Sequence, residues 1–153
     1  MNRHDAAMLR QDGHRYLTRV YYEDTDAGGV VYHAKYLGMA ERARTEALRG
    51  MGVPHAEMQT LHGLSLMVRR VNLDYVAPAR LDDALVVTTR VTSLQAASFR
   101  LRQTVAHAAA AKADRPLVVA DVQLVCVRLA DMRPTRLPER WRAALASLAE
   151  EED

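Results

Sequence analysis

Between Val20 and His33 the chain reads Val20-Tyr21-Tyr22-Glu23-Asp24-Thr25-Asp26-Ala27-Gly28-Gly29-Val30-Val31-Tyr32-His33, which places two aspartates, a glycine pair and a histidine in one short stretch. An aspartate held in a turn can attack an electrophilic carbon or take a proton from water. Adjacent glycines let the backbone approach a ligand closely and adopt angles closed to other residues. If a helix begins just after His33, the N–H groups near its start have no intrahelical carbonyl and favour negative charge. Such a set suits a carbonyl under attack, whose oxygen gains charge as it reacts. Asp24, Asp26 and His33 also offer donors to a metal ion, but no second histidine lies nearby and the glycines suit a carbonyl better. No metal or cofactor is expected.

This stretch has to be held between a strand and a helix. A β-branched and aromatic run from Tyr16 to Asp24 predicts the strand. Tyr36, Ala40, Ala43, Ala47 and Met51, flanked by Leu37 and Leu48, recur at helical spacing. Three of these are alanines, so the helix can lie close against a sheet. Gly50, Gly52 and Pro54 supply its stop. His55 to Leu61 reads as a short second helix. Four extended segments follow, Leu64 to Ala77, Ala84 to Leu94, Ser98 to His107 and Leu117 to Leu129. Alternation is clearest in Leu85, Val87 and Val91 against Thr88, Arg90 and Thr92, and in Phe99, Leu101 and Val105 against Arg100, Arg102 and Thr104. Half-buried antiparallel strands have this pattern. Pro78 with Asp82-Asp83, and the alanine-rich run Ala108 to Pro116, turn the chain. Glu139 to Leu148 predicts a last helix.

The expected organisation is a flexible tail over 1–14, one α+β domain over 15–138, and a C-terminal helix with an acidic tail over 139–153. In that domain a long helix packs against a five-stranded antiparallel sheet. One helix cannot cover such a sheet, and long apolar edges seldom stay open. Pairing into a homodimer or homotetramer is therefore expected.

The 153 residues suffice for one real core. Lysine and arginine number 21 against 19 acids, a net charge of +2, which gives no case for nucleic acid as a partner. The single cysteine, Cys126, excludes an internal disulfide framework, and its alternation with Val122 and Leu124 marks a packed thiol rather than a nucleophile. No apolar run nears the roughly 20 residues of a membrane span, and residues 1–13 lack the apolar core of a signal peptide. A cytoplasmic setting is expected.

The run from Tyr22 to His33, continued by Tyr36-Leu37 and Glu41-Arg42-Ala43-Arg44-Thr45-Glu46, resembles the signature of hotdog-fold acyl-CoA thioesterases of the 4-hydroxybenzoyl-CoA thioesterase family. Within that family it is most similar to the branch associated with the bacterial Tol-Pal system. The block Tyr75-Val76-Ala77-Pro78-Ala79-Arg80-Leu81-Asp82-Asp83 and the segment Val125-Cys126-Val127 carry the resemblance onward, from about Arg19 to Pro138.

The resemblance implies a hotdog fold, a helix wrapped by the sheet, and hydrolysis of acyl-CoA thioesters. It places the second acid, Asp26, against the thioester as general base or nucleophile, and leaves Asp24 to cap the turn or pair with an arginine. It implies that the backbone amide at His33 polarises the carbonyl. Val31, Tyr32, Gly28 and Gly29 belong to the same binding turn. The His33 side chain can orient substrate or water, tune Asp26, or make a structural hydrogen bond. Glu41 has two readings, a part in the acyl pocket or in fixing the turn, and a surface ion pair. By family position Arg69, Arg70 and Arg80 are candidates for the phosphates of coenzyme A, and Arg100, Arg102 and Arg128 are candidates by their place on strands.

The implied substrates are short or medium aliphatic acyl-CoA, with acyl carrier protein thioesters as a second class. Pocket depth depends on how Met39, Met51, Met58, Leu61 and Met67 pack. Two other functions fit the same fold: an enoyl-CoA hydratase, and a non-catalytic acyl-binding adaptor to acyl carrier protein or phospholipid-synthesis enzymes. An acid at Asp26 argues against the adaptor, which has no need of it.

Overall fold

A computed structural model describes residues 9–10, 13–109 and 115–149. The strands are β1 (Leu9–Arg10), β2 (Gly13–Arg19), β3 (Leu64–Tyr75), β4 (Ala84–Leu94), β5 (Ser98–His107) and β6 (Val118–Arg128). The helices are α1 (Lys35–Gly50), α2 (His55–His62) and α3 (Glu139–Ala146). Neighbouring strands are antiparallel in the order β1-β2-β4-β5-β6-β3. Five long strands thus form the expected sheet, and two-residue β1 adds to its β2 edge. No helix among the described residues is long and apolar enough to cross a membrane.

Alternation sets which face each strand buries. In β5 and β6 the residues Phe99, Leu101, Val105, Val118, Ala120, Val122, Leu124 and Cys126 are buried, and they face α1 and α3. The small side chains of Ala40, Ala43 and Ala47 bring α1 close to this face. The core divides into two clusters. One gathers the C-terminal half of α1 with Met58, Phe99, Leu124, Trp141 and Leu145. The other gathers Val20, Val31, Tyr36, Met39, Ala79 and Leu85 under the start of α1, which is the support of the candidate turn.

The first strand departs from its expected bounds. It runs from Gly13 to Arg19, not from Tyr16 to Asp24, and Tyr22–Asp24 form a turn of 3-10 helix. The physical reason is local: the Asp24 Oδ2 accepts the Tyr21 N–H at 2.9 Å, curling the chain out of the sheet. Positions 13–14 of the expected tail pair with Arg10 and Leu9. Residues 1–8, 11–12 and the acidic end at 150–153 lie outside the described residues, as do 110–114 of the Ala108 to Pro116 loop. The last helix ends at Ala146 rather than Leu148. Cys126 is buried, and burial pushes its thiol pKa up, away from thiolate.

Candidate active site

The turn after β2 is a closed frame of backbone hydrogen bonds. Tyr32 N–H donates to the Asp24 carbonyl at 2.8 Å, Asp26 N–H to Val30 at 2.9 Å and Gly29 N–H to Asp26 at 3.1 Å. Asp24 thus serves the frame through both its side chain and its carbonyl. Asp26 stands differently: it is exposed, and among the described residues the one hydrogen bond to its side chain is Oδ1 accepting the Gly28 N–H at 2.8 Å. That bond fixes the carboxylate and leaves Oδ2 open to a reactant.

Accounting for each N–H shows where an oxygen can bind. Val31 N–H donates to the Ala79 carbonyl at 2.9 Å, so the amides of Val31 and Tyr32 are both engaged. The amides of His33 and Ala34 have no acceptor among the described residues. Helix α1 starts there with no side-chain cap and no acid in its first turn. A capping side chain contributes ~1 kcal/mol, so its absence leaves the positive end of the helix dipole unopposed. Negative charge placed beside His33 would therefore meet unspent N–H donors and the helix dipole.

The block from Tyr75 to Asp83 holds this helix start in place. The Tyr36 hydroxyl accepts Ala79 N–H at 3.1 Å while the Ala79 carbonyl takes Val31 N–H, so one residue ties helix to turn. Tyr36 is buried, and desolvation raises its pKa, which keeps the hydroxyl neutral. Arg80 bridges to Val30, and its N–H donates to the Asp83 Oδ2 at 2.8 Å.

The structure therefore brings together Asp26, Gly28, Gly29, Val31, Tyr32, His33 and Arg80. It sets three candidates apart. Arg69 and Arg70 lie at a bulge in β3, roughly 16 Å along the strand from Tyr75. Glu41 is exposed on α1, where its charge acts on Arg44 and His55. Of the proposed pocket residues, Met39 and Met58 are buried in the two separate core clusters, while Leu61 and Met67 are exposed. An apolar cavity bordered by Leu48, Leu66, Phe99 and Leu124, with Arg44 and His55 at its rim, measures ≈ 20 Å³. That is about the room of one water, too small for an acyl chain.

Two features carry no role in the sequence reading. Gln103, fully buried, donates to the Ala40 carbonyl at 2.9 Å and to Thr89 Oγ1 at 3.0 Å, and accepts from Arg44 Nη1 at 3.0 Å. A polar residue at an inward position of an apolar alternation was the available signal. Tyr75 appears in the resemblance without a function, yet its hydroxyl donates to the His33 carbonyl at 3.0 Å.

Residues 20–145 match the model of the thioesterase-like superfamily. The acyl-CoA thioester hydrolase YbgC of Escherichia coli is 44% identical over 127 residues, covering 82% of this chain and 90% of that protein. The acyl-CoA thioesterase YbgC of Haemophilus influenzae is 39% identical over 140 residues, covering 92% and 99%. Among solved structures, a 1,4-dihydroxy-2-naphthoyl-CoA thioesterase from Synechocystis superposes with a TM-score of 0.78 at 27% identity, covering 88% of this chain and 96% of its own. A probable thioesterase from Bartonella henselae gives 0.73 at 35% identity, covering 82% and 98%.

Proposed function

Because the chain belongs to the thioesterase-like superfamily and has the hotdog fold of its structural neighbours, we propose that it hydrolyses acyl-CoA thioesters to the free acid and coenzyme A, with Asp26 and the amide of His33 as the working groups. The observation that carries this reading is the pairing of a fixed, exposed carboxylate with unspent N–H groups at an uncapped helix start. The thioester carbonyl oxygen sits against the His33 N–H. Asp26 then attacks the carbonyl carbon, or takes a proton from a water that does. Charge moves onto the oxygen, the amide and the helix dipole stabilise it, and the C–S bond breaks to release the thiolate, which takes up a proton. Where Asp26 is the nucleophile, the acyl group is left on its carboxylate as an anhydride that water then hydrolyses to the free acid. Removing one oxyanion donor in other enzymes costs about 2.7 to 4 kcal/mol, enough to govern the rate.

Relatives named for acyl-CoA support the coenzyme A thioester as substrate. Short or medium aliphatic chains, and acyl carrier protein thioesters as the second class, follow from the resemblance to the Tol-Pal-associated branch. Arg80, whose backbone pairs with Val30 of the turn, is our candidate for the phosphates of coenzyme A, a reading supported by its nearness to the turn.

The test is thiol release from a panel of aliphatic and aromatic acyl-CoA and acyl carrier protein thioesters, for the native protein and for Asp26→Asn. Native turnover should fall about 10²- to 10⁴-fold in the variant. Binding without release by the native protein would turn the reading to an acyl-binding adaptor, and conversion of an enoyl-CoA without thiol release would turn it to a hydratase.

A further inference from the structure

We infer that Tyr75 is a positioning residue for the thioester carbonyl, acting through the backbone of His33. This deepens the proposed function and rests on it.

The inference starts from the peptide planes on either side of His33. A trans peptide is planar, with its C=O and N–H pointing in opposite directions, so fixing one fixes the other. The plane before His33 is held because Lys35 N–H donates to the Tyr32 carbonyl at 2.9 Å. The plane after it has no such support from the helix: Leu37 N–H reaches the Ala34 carbonyl at 3.3 Å, not that of His33. The group that holds the His33 carbonyl is the Tyr75 hydroxyl, at 3.0 Å. Tyr75 thus completes the restraint on both planes that meet at His33. One of these carries the His33 N–H and the other the Ala34 N–H, neither of which has an acceptor among the described residues.

Packing gives the same residue a second hold. The Tyr75 ring meets the His33 imidazole edge-on, with centroids 6.3 Å apart and planes at 87°, and lies 5.9 Å from the ring of Tyr36. Tyr36 is itself anchored through Ala79. Tyr75 ends β3, which pairs without a break with β6 from Arg70 to Tyr75, so the hydroxyl is carried on a rigid element.

The consequence is electrostatic. With the hydroxyl gone, the His33 carbonyl loses its donor and the peptide after it is free to turn. A carbonyl turned toward the site repels a developing oxyanion, where the present arrangement attracts it. Donors that must reorganise during the reaction stabilise charge less well than donors already in place. The loss falls on the transition state more than on the ground state, and so on kcat more than on KM.

Tyr75→Phe keeps the ring and removes only the hydroxyl, at a half-exposed site where the fold tolerates the change. Thioester release by Tyr75→Phe should show kcat down about 10- to 100-fold with KM within about twofold of native. In the Asp26→Asn background, the infrared carbonyl band of a bound acyl-CoA should lie at lower frequency than in solution, and Tyr75→Phe should move it back toward the solution value. A structural role alone would lower the melting temperature and leave the band in place. An unchanged kcat and band overturn the inference while leaving thioester hydrolysis standing. If the native protein releases no thiol, the hydrolase reading fails and the band of bound acyl-CoA still decides the role of Tyr75. If no acyl-CoA binds, both fall.

Discussion

Gly28 and Gly29 are adjacent in the sequence and differ in what a side chain would meet. A Cβ on Gly28 would lie 3.2 Å from the Asp26 Oδ1, tight enough that the carboxylate must give by a few tenths of an ångström. A Cβ on Gly29 meets nothing within 4 Å, but its φ of +76° is strained for any L side chain. The two alanine variants should therefore separate. Gly28→Ala should lower kcat about tenfold, because misplacing a reacting group by a fraction of an ångström is costly in rate. Gly29→Ala should lower stability by ~1 kcal/mol, about 3 °C in melting temperature, with kcat near native. Melting curves and turnover on the same preparations check the pair, and an opposite assignment of the two effects would remove the geometric account of the turn. The site was legible in part at this scale. Residue types showed an acid, glycines and a histidine, and the resemblance singled out the amide of His33, but nothing in the residue types themselves told that amide from those of Val31 and Tyr32. The difference arises because the acceptor for Val31 is Ala79, brought in by folding from a distant part of the chain.

At the scale of elements, strand alternation placed β4 and β5 at their observed bounds, since polar and apolar residues there alternate at a period of two. Two gaps in those alternations, Thr89 and Gln103, turn out to be opposite each other in the β4–β5 register. They meet the middle of α1 through the Ala40 carbonyl and through Arg44. Sequence could show the gaps but not their meeting, because register is decided by the whole sheet. Burial lowers the Arg44 pKa, and its position beside His55 helps to lower that of the imidazole. Gln103 is the acceptor that offsets this burial, and it locks the helix at one height on the sheet. Gln103→Leu fills the space yet leaves Thr89 and Arg44 without it. It should destabilise the protein by about 2 to 3 kcal/mol in urea unfolding at fixed protein concentration. A change within about 0.5 kcal/mol would mean that the network is incidental to how α1 is seated. The early end of the first strand was beyond reach for a related reason: Tyr16 to Tyr22 has strand composition and ends in the acids Glu23 and Asp24, and a single hydrogen bond accepted by the Asp24 side chain from the Tyr21 N–H diverts it.

At the scale of the whole molecule, the groups proposed for chemistry lie on an open surface. Asp26 and His33 are exposed, and Tyr32 is 46% exposed beside them. Water reaches all of these, which weakens every electrostatic interaction on which the proposed mechanism relies. Among the described residues, the apolar cavity between α1 and the sheet is the size of a water, too small for an acyl chain. What one chain lacks, a second copy can supply. Strand β3, twelve residues long, is an edge of the sheet with no partner on its outer side among the described residues. Met67, Val68, Tyr75 and Val76 are large exposed residues on or just after it, and Leu37 and Leu61 are exposed on the helices. An open edge of that length with exposed apolar side chains would suit pairing with a second copy. Two copies joined along β3 would extend the sheet and bring a second wall to the turn that holds Asp26. Sedimentation at micromolar concentration should therefore find a dimer or a dimer of dimers. Val68→Lys, which sets a charge on the edge, should yield monomer with native circular dichroism and thioester release reduced at least tenfold. A monodisperse native monomer with full turnover would show that one chain builds its own pocket, and the second copy would then have no part in the chemistry.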